Sequence, residues 1–356
     1  MEDRLTELET KVAFQDQTIE ELNQVVIELR KQLEEMEKKV KNLIDQVVQP
    51  HATTNHPGGS PFNVALAAAR QGGVVRYVTP ISTDIWGDML AARLAEAGVQ
   101  LAGGRVAQPS TLARVTLCDG VPSYSFRRTD TAERQVSAAM LARAIGQGVD
   151  ALHTGSLALN DGPDAAAWQA TMAQAYQRGV LTSLDPNVRA SIIGDLASYR
   201  ARIWQMLDKL HILKLSDEDL AGLCPDMTEE AAIAQLLAQC SAPLVVLTRG
   251  AKGAQAWLRG QPVRVGAVKL DALVDTVGAG DTFMASLLVG LGQLGYLSAP
   301  GLARLGLADA RAVLHRAAVA AALNCESQGC NPPSQAALAA AWLAMMNRSC
   351  DAAVSR

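Results

Sequence analysis

The nine residues DTVGAGDTF, Asp275 to Phe283, join three small residues, an acid and the start of an apolar run. Gly278, Ala279 and Gly280 can present successive backbone N–H groups at the start of a helix, MASLLVGL, that follows. The partial positive charge of a helix N-terminus suits a phosphate. Small residues are needed because the backbone itself must approach the anion. Asp281 falls in the first helical turn. It can offset the helix dipole, or act as a general base beside the anion, taking a proton from an attacking hydroxyl. The residues alone leave both roles open. The loop lacks the lysine of a Walker A motif, which argues against P-loop chemistry.

Other polar residues fall at turns. Gly58 and Gly59 follow His56-Pro57 and read as a turn, with Asn63 early in the next helix. Asp185, Asn187 and Arg189 in LDPNVR follow a strand, which places them at the ligand edge of a parallel sheet. An Asp-Pro-Asn turn explains them as well. Ser216 precedes the acids Asp217, Glu218 and Asp219, a pattern that suffices for a helix N-cap. Thr248, Gly250 and Gly253 in LTRGAKGA follow the strand LVVLT, and a hairpin turn into AQAWL accounts for the glycines. Arg127 and Arg128 read as solvated strand residues, the usual fate of arginine.

These residues need a frame. Strands are expected at VVRYVT, ARVTL, ALHTG, VLTSLD, HILKL and LVVLT. Helices are expected over 61–71, 86–97, 138–146, 164–178, 196–210, 229–240, 280–294, 308–324 and 334–347. Alternation of this kind gives an α/β fold, a mostly parallel sheet with helices on both faces.

Composition narrows the classes. A chain of 356 residues with 49% hydrophobic residues can build one large domain plus an appendage. A net charge of −4 does not favour a nucleic-acid partner. No signal peptide opens the chain, and no apolar run approaches the ~20 residues that span a bilayer, so a cytoplasmic protein is expected. The six cysteines form no CxxC pair and have no histidine at metal-ligand spacing, so reduced thiols are expected.

The first 48 residues differ from the rest. Leu5, Val12, Ile19, Val26, Leu33, Val40 and Val47 alternate at three-four spacing with Leu8, Leu22, Leu29, Met36 and Leu43, and Gln15 completes the register. This is a heptad seam. β-branched residues at one position and leucine at the other favour a parallel dimer. Pro50 ends the helix, and residues 49–56 read as a linker. The run LTELETKVAFQDQTIEELN resembles the start of the SlyX family, small bacterial coiled-coil proteins.

Residues 57–347 resemble the ribokinase-like, PfkB-type carbohydrate kinases, with 348–356 as a tail. DTVGAGDTF looks like the family's second signature and GGSPFNVALAAARQGG like its first. SYSFRRTDTAER, LDPNVR, KLSDEDL and NCESQGCNPP are most similar to the fructokinase branch. The resemblance implies ATP-dependent phosphorylation of a sugar's primary hydroxyl, giving fructose 6-phosphate from fructose. It implies Asp281 as base and Gly278, Ala279 and Gly280 as anion hole. Gly58, Gly59, Asn63 and Arg128 would contact sugar, and Arg127 stands where a tyrosine is common. Asn187, Ser216, Thr248, Gly250, Gly253 and Asn324 would lie on the nucleotide side. Asp219 would hold Mg2+ through water, and Asp275 would support a K+ site.

One part of the pattern is absent. Family members begin with a strand reading Gly-Glu-x-x-x-Asp, whose acid grips the sugar. Here Leu29 to Val48 carry the heptad instead. The expected fold is therefore ribokinase-like without its first strand, behind a coiled-coil helix that makes a homodimer. A catalytically impaired fusion acting only in association is the second reading. A kinase for 2-keto-3-deoxygluconate or a nucleoside is a variation on the first.

Overall fold

The structure is a computed structural model that describes residues 24, 26, 28–33, 36, 57–118, 121–190, 192–270 and 272–354. It divides into two units, Met1–Asn55 and His56–Arg356. In the first unit every described residue is helical. The remaining heptad positions, the linker and much of the SlyX resemblance lie outside the described residues.

Among the described residues, the second unit contains twelve strands: β1 (Arg76–Tyr77), β2 (Ile81–Ser82), β3 (Gln100–Leu101), β4 (Arg105–Val106), β5 (Leu112–Cys118), β6 (Val121–Arg127), β7 (Ala151–Gly155), β8 (Leu181–Asp185), β9 (Ile212–Ser216), β10 (Leu244–Thr248), β11 (Ala254–Leu258) and β12 (Gln261–Val265). Six of them form one sheet in the order β12-β11-β10-β9-β8-β7. β7 to β10 run parallel, β11 runs antiparallel to β10, and β12 antiparallel to β11. β1 pairs with β3 and β2 with β4 as separate parallel pairs, and β5 and β6 form an antiparallel ladder.

Strand alternation builds two cores. Leu244 and Val246 of β10 join one, Val245 and Leu247 the other. Side chains of successive strand residues leave opposite faces, so a strand buried on both sides must be apolar at nearly every position. Helices Gly162–Gln177, Leu196–Met206, Asp217–Leu223 and Glu229–Gln239 contribute to one core. Helices Ser60–Arg70, Ala279–Gln293 and Leu307–Cys325 contribute to the other. The helix Ala279–Gln293 is buried at every residue from Asp281 to Leu291, as a helix apolar on all sides should be. It meets Leu307–Cys325 closely: a Cβ on Gly290 would stand 3.0 Å from Val313 Cγ1.

Two expectations change. VVRYVT contributes only Arg76 and Tyr77 to a ladder, because its one partner is the two-residue β3. The helix from Leu196 stops at Met206 and passes into a tight turn, Leu207–Lys209. Of Leu29 to Val48, where the heptad stands in place of the family's first strand, the described residues 29–33 and 36 are helical. Among the described residues, β7 has a ladder partner on one side only, β8.

Candidate active site

The carboxyl ends of β7 to β10 bring Gly155, Asp185, Ser216 and Thr248 to one edge of the sheet. The helix Ala279–Gln293 starts from Gly278, which holds φ 75°, ψ 4° in the left-handed region. A Cβ there would run into the Cys330 side chain. Glycine is thus required twice, by its conformation and by its neighbour. Ala279 spends its N–H on Thr276 O at 3.2 Å. Among the described residues, the N–H groups of Gly278 and Gly280 have no protein acceptor.

Asp281 is 7% exposed and caged by the other signature. Ser60 Oγ donates to its Oδ1 at 2.6 Å, and Asn63 Nδ2 donates to its Oδ2 at 2.8 Å. Two donors fix the carboxylate's orientation. Asn63 Oδ1 is buried and accepts no hydrogen bond. A buried unpartnered acceptor is uncommon and marks a place where a ligand hydroxyl fits. Gly59, at φ 125°, is the N-cap residue of the helix that carries Ser60 and Asn63. Gly58 and Gly59 are exposed beside them.

A buried ion pair lies beneath the same helix start. Lys214 Nζ donates to Asp185 Oδ2 at 2.7 Å, and the two side chains are 5% and 1% exposed. Burial pushes the Asp185 carboxyl up to about 7 despite the pull of Lys214, and Asp219 and Asp281 push the same way. Burial alone would lower the Lys214 ammonium. Asp185, Asp219 and Asp281 outweigh it and raise it, so the lysine stays charged. Asp185 was expected at the ligand edge of the sheet, but Lys214 did not stand among the expected site residues. The signal was a lone lysine in the apolar strand HILKL.

The remaining expected residues are bound differently. Arg128 is 9% exposed, and its guanidinium meets Glu133 Oε1 at 2.7 Å, Asp161 Oδ1 at 3.0 Å and Leu157 O at 2.6 Å. Asp219 accepts from Val188 N at 2.6 Å and Ser216 N at 2.8 Å, and Ser216 Oγ accepts from Asp219 N. That is a complete capping box. Asn324 is fully buried: it donates to Val277 O at 2.8 Å and accepts from Asn331 N at 3.0 Å, bracing the loop before Gly278. Asp275 accepts from Val277 N and Gly329 N. Thr248 ends β10, Gly250 follows in a short turn, and Gly253 turns the chain into β11 at φ 85° where a Cβ would strike Val265 O. Asn187, at φ 43°, follows β8.

The comparisons agree on a family. Residues 22–337 match the family model "pfkB family carbohydrate kinase". A fructokinase of Rhizobium leguminosarum bv. trifolii is 36% identical over 237 residues, 66% of this chain and 72% of that protein. The crystal structure of fructokinase with bound ATP from Xylella fastidiosa superposes with a TM-score of 0.73 at 27% identity, over 81% of this chain and 91% of that one. Fructokinase from Vibrio cholerae O395, in a form binding fructose, ADP and a calcium ion, gives 0.68 at 26% identity over 81% and 91%. With residues 22–337 matched by one family model and the fold shared, this chain belongs to the pfkB family of carbohydrate kinases.

Proposed function

We propose that this protein transfers the γ-phosphoryl group of ATP to the primary hydroxyl of fructose, giving fructose 6-phosphate. One observation carries the reading: the Asp281 carboxylate, held by Ser60 and Asn63, stands one residue from the unspent N–H of Gly280. A base and an anion hole so close suit in-line transfer, where the hydroxyl must lose a proton as charge moves over the phosphoryl oxygens. Asp281 takes the proton. Gly278 and Gly280 donate to the phosphoryl group. Asn63 Oδ1 accepts a sugar hydroxyl, with Gly58 and Gly59 forming the wall beside it. The fructokinase names of the relatives support this choice of sugar.

ATP lies along the strand edge at Asn187, Thr248, Gly250 and Gly253. Mg2+ fits as a companion of ATP. Among the described residues no three His, Cys, Asp or Glu gather to hold a metal, and both Asp219 oxygens accept backbone N–H groups. Mg2+ characteristically keeps its waters and binds through substrate phosphates, so Asp219 reaches it through water. Asp275 supports K+ by the same family likeness.

Two further readings accompany this one. The N-terminal helix pairs with that of a second copy: Val26, Leu29, Leu33 and Met36 are 45%, 57%, 55% and 59% exposed, and a heptad seam this wet favours association. Sedimentation with and without residues 1–48 tests it, and an unchanged mass refutes it. The family's first strand would lie along the side of β7 that has no ladder partner among the described residues. That observation favours an impaired kinase as the second reading. Turnover decides between the two. With ATP and Mg2+ the protein should phosphorylate fructose, and Asp281→Asn should lower kcat by about 10²–10⁴-fold. Equal background rates for both proteins across a sugar panel would sink the enzyme reading.

A further inference from the structure

Strand β9 breaks its own pattern once. Ile212, Leu213 and Leu215 are buried and apolar, and Lys214 between them is only 4% exposed. Alternation puts Lys214 on the face of Ile212, which packs in the core with the helix Ala279–Gln293. The register of β8 on β9 pairs Ser183 with Ile212 and Leu184 with Leu213, so two residues along it Asp185 falls beside Lys214. Burying such a pair takes two charges out of water at several kcal/mol per ion, and apolar residues of the same size are often as stable. Packing alone does not account for it.

Two observations give the pair a direction. A Cβ on Gly280 would stand 3.0 Å from Lys214 Nζ, and among the described residues no other atom outside its own stretch of helix lies within 4 Å there. The ammonium is thus set against the helix residue whose N–H is unspent. In addition, Asp185 Oδ1 is buried and accepts no hydrogen bond, so the pair is not a closed, fully satisfied unit. Lysine carries three protons, and Asp185 takes one of them.

We propose that Lys214 is a further catalytic residue, whose ammonium contacts the transferring phosphoryl group beside the N–H groups of Gly278 and Gly280. The proposal rests on the kinase reading above. In the step, the sugar oxygen bonds to the γ-phosphorus and its proton passes to Asp281. The bond from the γ-phosphorus to the bridging oxygen breaks, and its electron pair leaves with ADP. Lys214 neutralises charge on the moving group and exchanges no proton. Asp185 is its positioning residue: it holds the ammonium at the hole. Three carboxylates, Asp185, Asp219 and Asp281, act on that ammonium, and without it they would repel an incoming phosphate.

The test separates catalysis from simple neutralisation of Asp185. Lys214→Met combined with Asp185→Asn removes both charges, so no ion is left unpaired. The expected result is a cooperatively melting protein whose kcat on fructose falls about 10²–10³-fold while KM for fructose stays within about threefold. A kcat within about threefold of wild type would overturn the proposal, because neutralising Asp185 would then be all that Lys214 does. Calorimetry with ADP plus aluminium fluoride gives a reading that needs no sugar. The double variant should lose about 30-fold or more in affinity for that mimic and little for ADP alone, and equal affinities in the two proteins would overturn the proposal. Should wild type ignore fructose while mimic binding still needs Lys214, the substrate reading fails and Lys214 stands. Should the double variant not melt cooperatively, Asp185→Asn alone decides. It removes the hold and keeps the ammonium, so kcat should fall about tenfold while affinity for ADP alone stays within about threefold, and an unchanged kcat together with unchanged affinity for the fluoride mimic would overturn the proposal.

Discussion

The two ends of the sheet's ligand edge are built on opposite terms. Around Gly278 to Asp281, hydrogen-bonding capacity is left over: two N–H groups are unspent, and Asn63 Oδ1 and Asp185 Oδ1 are buried without partners. Around Ser216 to Gly253 capacity is consumed. Both Asp219 oxygens, the Ser216 hydroxyl and the Thr248 hydroxyl already bond backbone groups. Unsatisfied buried polar atoms cost about 1–3 kcal/mol each. A fold tolerates them where a ligand will complete them, and satisfied groups serve as frame. Leftover capacity therefore marks the groups that act on the transferring phosphoryl group, and the satisfied groups hold the edge along which ATP and, through water, Mg2+ lie.

Changes at Gly278 should hit hardest. Gly278→Ala meets Cys330 and forces an alanine into the left-handed region, a strain of roughly 1–2 kcal/mol. The larger consequence is that the N–H groups shift from the phosphoryl group, and removing one such donor lowers kcat by about 10²–10³-fold. Steady-state assays on a variant that still melts cooperatively check this. A kcat near wild type would mean that the left-handed N-cap is only a way of starting a helix.

Asn63 and Arg128 sharpen the comparison, because both were expected to touch sugar. Asn63→Ala removes one of the two bonds to Asp281 and the spare acceptor, each bond to a charged group being worth about 1.5–3 kcal/mol. Its kcat/KM for fructose should fall about 10–100-fold whatever its melting temperature does. Arg128→Ala should do the reverse. It leaves the Leu157 carbonyl without its donor and loosens Glu133 and Asp161, so stability falls by about 1–3 kcal/mol while KM for fructose moves less than about threefold. Thermal melts set beside kinetics distinguish the two. A large rise in KM for Arg128→Ala at unchanged melting temperature would move that arginine from frame to site.

Much of this was legible in the residues. DTVGAGDTF carries its own logic of small residues, helix start and acid, and a helix does start from Gly278 with Asp281 in its first turn. The strand and helix alternation was readable because buried parallel strands are short and apolar. The bond between Ser60 and Asp281 was not, since 221 positions separate them and no local pattern marks a serine that packing will bring to an acid. Lys214 was half legible: a lysine inside HILKL is odd, but its partner Asp185 lies 29 positions away on another strand. Arg128 shows the opposite limit. Its likeness to a sugar contact said nothing about the acceptors already waiting at Glu133, Asp161 and Leu157.

The smallest effect tests the frame itself. Ser216 sits at the carboxyl end of β9, where a nucleotide contact and a helix cap are both reasonable from position. Its hydroxyl accepts from Asp219 N at 3.0 Å, and Asp219 returns a bond to Ser216 N. If capping is the whole of its work, Ser216→Ala should cost about 1 kcal/mol of stability. KM for ATP and kcat should then stay within about threefold of wild type, because Asp219 keeps its bond to Val188 N and its place in the helix. Chemical denaturation gives the first quantity and ATP titration the second. A tenfold rise in KM for ATP at unchanged stability would show that a satisfied hydroxyl still reaches the nucleotide, and leftover capacity would no longer divide the acting groups from the holding ones.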